Sequence, residues 1–170
     1  MLFIDRDGTI VKEPSDCQVD AFEKVEFLPQ VFYYLSKIAT ELDFELVMVT
    51  NQDGLGTAVH PEKKFWPVHN FIMQALKNEG IYFTDVFIDK TFAKDNALTR
   101  KPNTGLLTKF FGKEYDLQNS YVIGDRITDV MLAKNLGAKA IWLNDGNSLG
   151  SDEIKDNAES LKNVIALETR

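Results

Sequence analysis

Five short runs of apolar, β-favouring residues punctuate the chain: Leu2–Ile4, Leu46–Val49, Val86–Ile88, Tyr121–Ile123 and Ala140–Leu143. Most are continuous rather than alternating, which is the pattern of strands covered on both faces. Between them the spacing turns helical. Val31, Tyr34, Leu35, Ile38 and Leu42 share one face, and a second helix opens at Pro61, carries Phe65, His69, Ile72 and Leu76, and stops at Gly80. Leu106, Leu107 and Phe110 predict a third helix, and Ile127 to Leu136, closed by Gly137, a fourth. Strands that alternate with helices need right-handed crossovers, so the expected fold class is α/β, a doubly wound, mostly parallel, Rossmann-like sheet. The 170 residues suffice for one domain, 1–170, and not for two ordinary ones. A helix near Asp152–Leu161 and the apolar run Val164–Leu167 are expected in the polar tail.

In an open parallel sheet, ligands bind outside the carboxyl ends of the strands. Asp5 and Asp7 follow the first run, Thr50-Asn51-Gln52 the second, and Gly124-Asp125 with Asp129 the fourth. Lys101 closes a long loop just before Pro102, where a helix can start. An aspartate at a strand end often only caps a helix, Thr50 alone is an ordinary strand residue, and a lone lysine is usually a solvated charge. Several carboxylates at the mouths of neighbouring strands are another matter, because like charges crowded together need a cation. Hard oxygen donors, with no cysteine or histidine cluster, select Mg²⁺.

The chemistry follows from these parts. Asp5 can attack phosphorus and form an aspartyl phosphate. Asp7 can protonate the leaving oxygen and then deprotonate the attacking water. Thr50, the Asn51 N–H and Lys101 are the expected holders of the phosphoryl oxygens, and Gly8 permits the sharp turn beside them. Two long connections, Gly8 to about Pro29 and Asp89 to Lys101, are expected to cover the site as small loop insertions.

The composition narrows the partners. A net charge of −7 disfavours nucleic acid, whose binding relies on clustered Lys and Arg. No run approaches the roughly 18 apolar residues of a membrane helix, and no secretory signal is expected at the N-terminus. Cys17, the one cysteine, allows no internal disulfide, so a cytoplasmic location is expected.

The residues Asp5-Arg6-Asp7-Gly8-Thr9, Thr50-Asn51, Lys101-Pro102 and Gly124-Asp125-Arg126 with Asp129 stand in order over nearly the whole chain. They resemble the four motifs of the haloacid-dehalogenase-like phosphohydrolases. The resemblance implies Asp5 as nucleophile, Asp7 as general acid and base, and Mg²⁺ held by Asp5, the Asp7 carbonyl and Asp125, with Asp129 ordering the site or capping its helix. Within that family the stretches F-I-D-R-D-G-T-I, E-P-S-D-C-Q-V-D, V-M-V-T-N-Q-D-G-L-G-T, T-R-K-P and S-Y-V-I-G-D-R-I-T-D are most similar to histidinol-phosphate phosphatases. That similarity implies a small phosphomonoester substrate, L-histidinol phosphate, and a fused or separate imidazoleglycerol-phosphate dehydratase as partner.

Related heptose-bisphosphate phosphatases share the T-N-Q start but continue differently from Asp53-Gly54-Leu55-Gly56, and a sugar bisphosphate is the alternative substrate. A phosphoacceptor receiver module lacks a partner like Asp7, and a nucleic-acid 3′-phosphatase would want a basic, aromatic-studded surface. Several family members carry a structural zinc on three cysteines and a histidine before the lysine; residues 89–100 here contain neither type, so no such zinc is expected. An amine and an imidazole would suit an acidic wall, for which Glu13 is the first candidate, followed by Asp16 and Asp53; Gln52 is a further substrate-binding candidate. His60 and His69, beside no motif, are expected to be surface or helix-packing residues.

Overall fold

A computed structural model describes residues 1–144 and 164–168. Among the described residues six strands make one sheet: β1 (Leu2–Ile4), β2 (Leu46–Asn51), β3 (Phe83–Asp89), β4 (Tyr121–Gly124), β5 (Lys139–Asn144) and β6 (Val164–Glu168). Their order is β3-β2-β1-β4-β5-β6, and every neighbouring pair is parallel. The chain winds outward from β1 to β3, then returns to the other side of β1 with β4. That reversal opens a crevice at the carboxyl ends of β1 and β4.

Three α-helices among the described residues cover the sheet: α1 (Val31–Glu41), α2 (Glu62–Asn78) and α3 (Ile127–Leu136). Leu2, Ile4, Leu46 and Met48 pack with Leu35 of α1 and Val68, Ile72 and Leu76 of α2. Phe3, Val47, Val49 and Val122 face the other way, onto Val130, Ala133 and Leu136 of α3 and onto Leu107 and Phe110. Alternate residues of one strand thus enter two separate cores, which is why the sequence runs are unbroken.

Three elements differ from the sequence expectation. The expected third helix is a 3₁₀ helix over Gly105–Phe111. Its buried residues, Leu107 and Phe110, are three apart, the repeat of a 3₁₀ turn. β3 begins three residues before the apolar run because it is an edge strand, half exposed, where Thr84 and Asp85 are tolerated. The apolar run near the C-terminus is β6, paired with β5. The helix expected at Asp152–Leu161 lies outside the described residues.

Residues 8–29 fold back over the crevice side of the sheet. Lys12 N–H donates to Glu26 O and Leu28 N–H to Ile10 O, a short antiparallel pairing that fixes the base of the loop. Its middle, with Glu13, Asp16 and Gln18, lines the crevice. Among the described residues no helix is long and apolar enough to cross a membrane.

Candidate active site

The last turn of backbone after β1 carries both aspartates to the crevice, and the Asp5 N–H donates to Ile123 O of β4, which ties this point to the neighbouring strand. Lys101 Nζ stands 2.7 Å from Asp5 Oδ1 and 2.7 Å from Asp129 Oδ1. All three groups are buried. Burial alone would pull the lysine down, but Asp129 and Asp5 beside it hold its pKa above the ordinary value. The other Asp129 oxygen accepts from the Arg126 N–H at the start of α3, so this side chain both caps the helix and fixes the lysine.

Asp5, Asp125 and Asp129 each bring an oxygen within 4.8 Å of the others. Among the described residues one ammonium faces three carboxyl groups. Burial, opposed by Lys101, pushes the Asp5 carboxyl up to about 7. Burial and then the charges of Asp5 and Asp129 push Asp125 up to about 8. Asp125 Oδ1 is buried and has no hydrogen-bond partner among the described residues. A buried carboxylate oxygen without a donor is costly, and a cation is the group that removes the cost. The donor set therefore fits a hard divalent ion, with Asp125 as its clearest ligand; both Asp129 oxygens are already engaged.

Two glycines make the crowding possible. A Cβ on Gly8, whose φ is +78°, would lie 2.1 Å from Asp125 Oδ2, and one on Gly124 would lie 2.2 Å from the Asp129 carboxyl. Only the bare backbone lets these acids approach.

Asp7 sits in a different setting. Arg6 Nε donates to its Oδ1 and Arg6 Nη2 to its Oδ2, both at 2.9 Å, and Gln52 Nε2 donates to Oδ2 at 2.7 Å. Oδ2 is thus filled, and the remaining lone pair belongs to Oδ1. Arg6 is completely buried. Its Nη1 lies 3.1 Å from His69 Nδ1, and Phe65 packs under its guanidinium at 4.8 Å. Arginine can only donate, so His69 Nδ1 accepts and the neutral ring carries its proton on Nε2. Burial and the Arg6 charge lower the His69 pKa to about 4, in keeping with that role.

Thr50 Oγ1 accepts from Gln52 Nε2 at 2.9 Å, which leaves its own proton to donate into the crevice. The Asn51 side chain accepts from Lys101 N–H and donates to Lys101 O, clamping that backbone from both sides. Gln52 differs from its expected role: it is buried, and both its donations go to Asp7 and Thr50. Its carboxamide is taken up between Asp7 and Thr50 and its backbone N–H donates to Asp89 O, so it lies behind the crevice lining, where Asp53 is found.

The crevice is a cavity of about 210 Å³. The acids expected to form its wall do line it, yet each is already paired: Glu13 with Arg126, Asp53 with Arg100 at 2.7 Å, and Asp16 with Lys24 at 2.6 Å. The wall therefore holds acids paired with bases rather than free carboxylates. His60 is not on the surface; it is fully buried, edge-on to Phe65, and burial lowers its pKa. His69 does pack within α2 and also supports Arg6. Arg6 is the residue that reading by motif passed over. The available signal was a cation set between two acids at the end of a buried strand, where burial of Asp7 demands compensation.

The HAD-hydrolase-like family model matches residues 98–166. The histidine biosynthesis bifunctional protein HisB of Bacteroides fragilis is 57% identical over 151 residues, which are 88% of this chain and 40% of that protein. The protein of the same name from Spirosoma linguale is 50% identical over 173 aligned residues, 99% of this chain and 45% of that one. The chain therefore spans under half the length of these curated relatives. A solved structure of D,D-heptose 1,7-bisphosphate phosphatase from B. bronchiseptica, complexed with magnesium and phosphate, superposes with a TM-score of 0.78 at 21% identity, covering 98% of this chain and 92% of that one. The same phosphatase from Burkholderia thailandensis gives 0.59 at 17% identity, covering 98% and 90%. At such identities these two likenesses speak for the fold.

Proposed function

The chain belongs to the haloacid-dehalogenase-like hydrolases, and from that membership and the strand-end geometry we propose that it is a magnesium-assisted phosphomonoesterase acting on L-histidinol phosphate. The observation that carries the reaction type is the buried cluster in which Lys101 contacts Asp5 while Asp125 keeps an unpartnered oxygen. Asp5, the Asp7 carbonyl and Asp125 would hold the ion, whose charge offsets that of the bound phosphate and of the acids around it.

An Asp5 carboxylate oxygen attacks phosphorus, and the ester P–O bond breaks as the new P–O bond forms. Asp7 donates a proton to the departing alkoxide from Oδ1, the oxygen that Arg6 and Gln52 leave accessible. Water then attacks the aspartyl phosphate and gives its proton to Asp7. The bond between Asp5 and phosphorus breaks, inorganic phosphate leaves, and both acids return to their first state. Through both steps the Thr50 hydroxyl, the Asn51 N–H and the Lys101 ammonium hold the phosphoryl oxygens.

The substrate rests on the identity of up to 57% to proteins named for histidine biosynthesis. Glu13, Asp16 and Asp53 at the mouth supply carboxylates for an amine and an imidazole, once exchanged from their own bases. A second reading has a specific observation behind it. Arg100 and Arg126 also line the mouth and would suit a second phosphate, as in a sugar bisphosphate. The bifunctional name of the relatives accords with an imidazoleglycerol-phosphate dehydratase as a fused or separate companion, and a single cysteine accords with the cytoplasm.

Phosphate release measured on L-histidinol phosphate and on heptose 1,7-bisphosphate, with Mg²⁺ and with EDTA, decides the matter. Preference for histidinol phosphate by at least tenfold in kcat/KM, lost on chelation, is expected. A preference for the bisphosphate transfers the assignment to the second reading, and equal turnover in EDTA removes the metal.

A further inference from the structure

Among the described residues Lys101 is the one ammonium in the acidic cluster, yet it comes at the end of the 89–101 connection, whose middle is exposed. A loop of this length needs something to hold it, and it offers neither cysteine nor histidine for a metal. At its base Asp89 is buried, 3% exposed, on the last residue of β3. One of its oxygens accepts from both the Thr91 N–H at 2.9 Å and the Thr91 hydroxyl at 2.5 Å. The other accepts from the Thr99 hydroxyl at 2.6 Å. Both ends of the loop thus close on a single carboxyl group.

The consequence reaches Lys101 through the backbone. Thr99 lies two residues before it. Between them Arg100 donates from Nη1 to Thr91 O, across the same gap, and to Asp53. Asn51, which is opposite Asp89 in the β2–β3 register, then takes hold of the Lys101 amide and carbonyl. The lysine backbone is fixed by Asn51 on one side and by the closed loop on the other, and its Nζ is left to span Asp5 and Asp129.

We propose that Asp89, Thr91 and Thr99 form a hydrogen-bonded clasp that orders the 89–101 loop without a metal ion and so positions Lys101 for phosphoryl transfer, a role that rests on the phosphatase reading above. Thr99 is its discriminating member, because valine matches threonine in shape and serine matches it in hydrogen bonding. Packing also acts on the loop, since Phe92 fills the space over Gly54. If packing alone ordered it, valine would serve as well as threonine.

The test compares T99V and T99S with the unaltered chain in two measurements: amide hydrogen exchange of residues 90–100 by mass spectrometry, with and without EDTA, and steady-state phosphatase kinetics in Mg²⁺. T99V is expected to lose exchange protection and to drop in kcat by about 10- to 100-fold, the scale of an ångström-sized misplacement, with a smaller change in KM. T99S keeps both properties, and EDTA leaves the protection of the unaltered chain unchanged. The clasp is overturned if T99V retains its protection, if T99S fails as badly as T99V, or if chelation alone opens the loop. An inactive parent chain would defeat the phosphatase reading, while the exchange data would still judge the clasp.

Discussion

Asp5 and Asp7 stand two residues apart at the end of the same strand, and their surroundings could hardly differ more. Asp7 receives three hydrogen bonds, two of them from a buried arginine, and that arginine is in turn supported by Phe65 and a neutral His69. Asp5 shares one lysine with Asp129 and lies beside Asp125, which has an oxygen with no donor. One half of the pair is complete within the protein; the other carries more negative charge than the protein compensates. Under the proposed mechanism Asp7 hands a proton to and fro, and such a group gains from fixed geometry. In the proposed reaction the other cluster takes a phosphate and a cation, and it gains from unmet charge, since ligand binding then relieves what folding left unfavourable.

The sharpest way to break the contrast is Asp5→Asn. It removes the proposed nucleophile, and turnover should fall on the order of 10⁴-fold or more, by the scale seen when other covalent catalysts lose theirs. Stability should move the other way. Asparagine needs no counter-charge in the buried cluster, so the thermal midpoint in EDTA should equal or exceed that of the unaltered chain. Phosphate release and a melting curve on the same preparation check both halves. A midpoint lowered by several degrees would mean that the Asp5 charge stabilises the fold, and the comparison would fail.

Arg6→Met probes the complete half. Breaking a buried ion pair from one side costs about 3–5 kcal/mol, because the partner is left uncompensated. For a domain of this size that is a fall in midpoint of roughly 10 °C. With Asp7 held by Gln52 alone, kcat should drop about 100-fold, the scale of lost acid–base assistance. The two substitutions therefore predict opposite signs in stability for adjacent residues. A midpoint for Arg6→Met within two degrees of the parent, measured by calorimetry, would deny the clamp its structural role.

How much of this could be read in the letters depends on whether a residue acts through its place on the strand or through a distant partner. Asp5, Thr50 and Asp125 each follow an apolar run, and an unbroken run at a strand centre reports burial on two faces, so the crevice and its acids were legible. Edge and 3₁₀ elements were harder to bound: β3 accepts polar residues, and Leu107 and Phe110 fit either helix type. The pairing of Glu13 with Arg126 spans 113 positions, and nothing local signals it. The buried state of Arg6 depends on Phe65 and His69 arriving from α2, a fact of tertiary packing. Positions of charge were therefore visible, whereas their neutralisation was not.

The smallest effect sharpens the comparison through pH. In the metal-free chain the Asp5 and Asp125 carboxyls are raised, chiefly by burial, to about 7 and about 8. The unfolded chain loses these protons near pH 4 and the folded chain keeps them, so these two groups make stability fall as pH rises from about 4 to about 8. His69 has the opposite sign. Its folded pKa, lowered to about 4 by burial and Arg6, makes stability rise between pH 4 and its unfolded value near 6.5. The slopes oppose each other below pH 6.5, and above it the carboxyl slope stands alone. In EDTA the midpoint should accordingly drop by a few degrees between pH 6.5 and 8. Asp125→Asn should flatten the part of that drop above pH 7, where Asp125 is the group still titrating. Millimolar Mg²⁺ should flatten it in the unaltered chain, by favouring the ionised acids. A metal-free midpoint that climbs across this range would show that the strand-end acids are already compensated, and the asymmetry between the two halves would be gone.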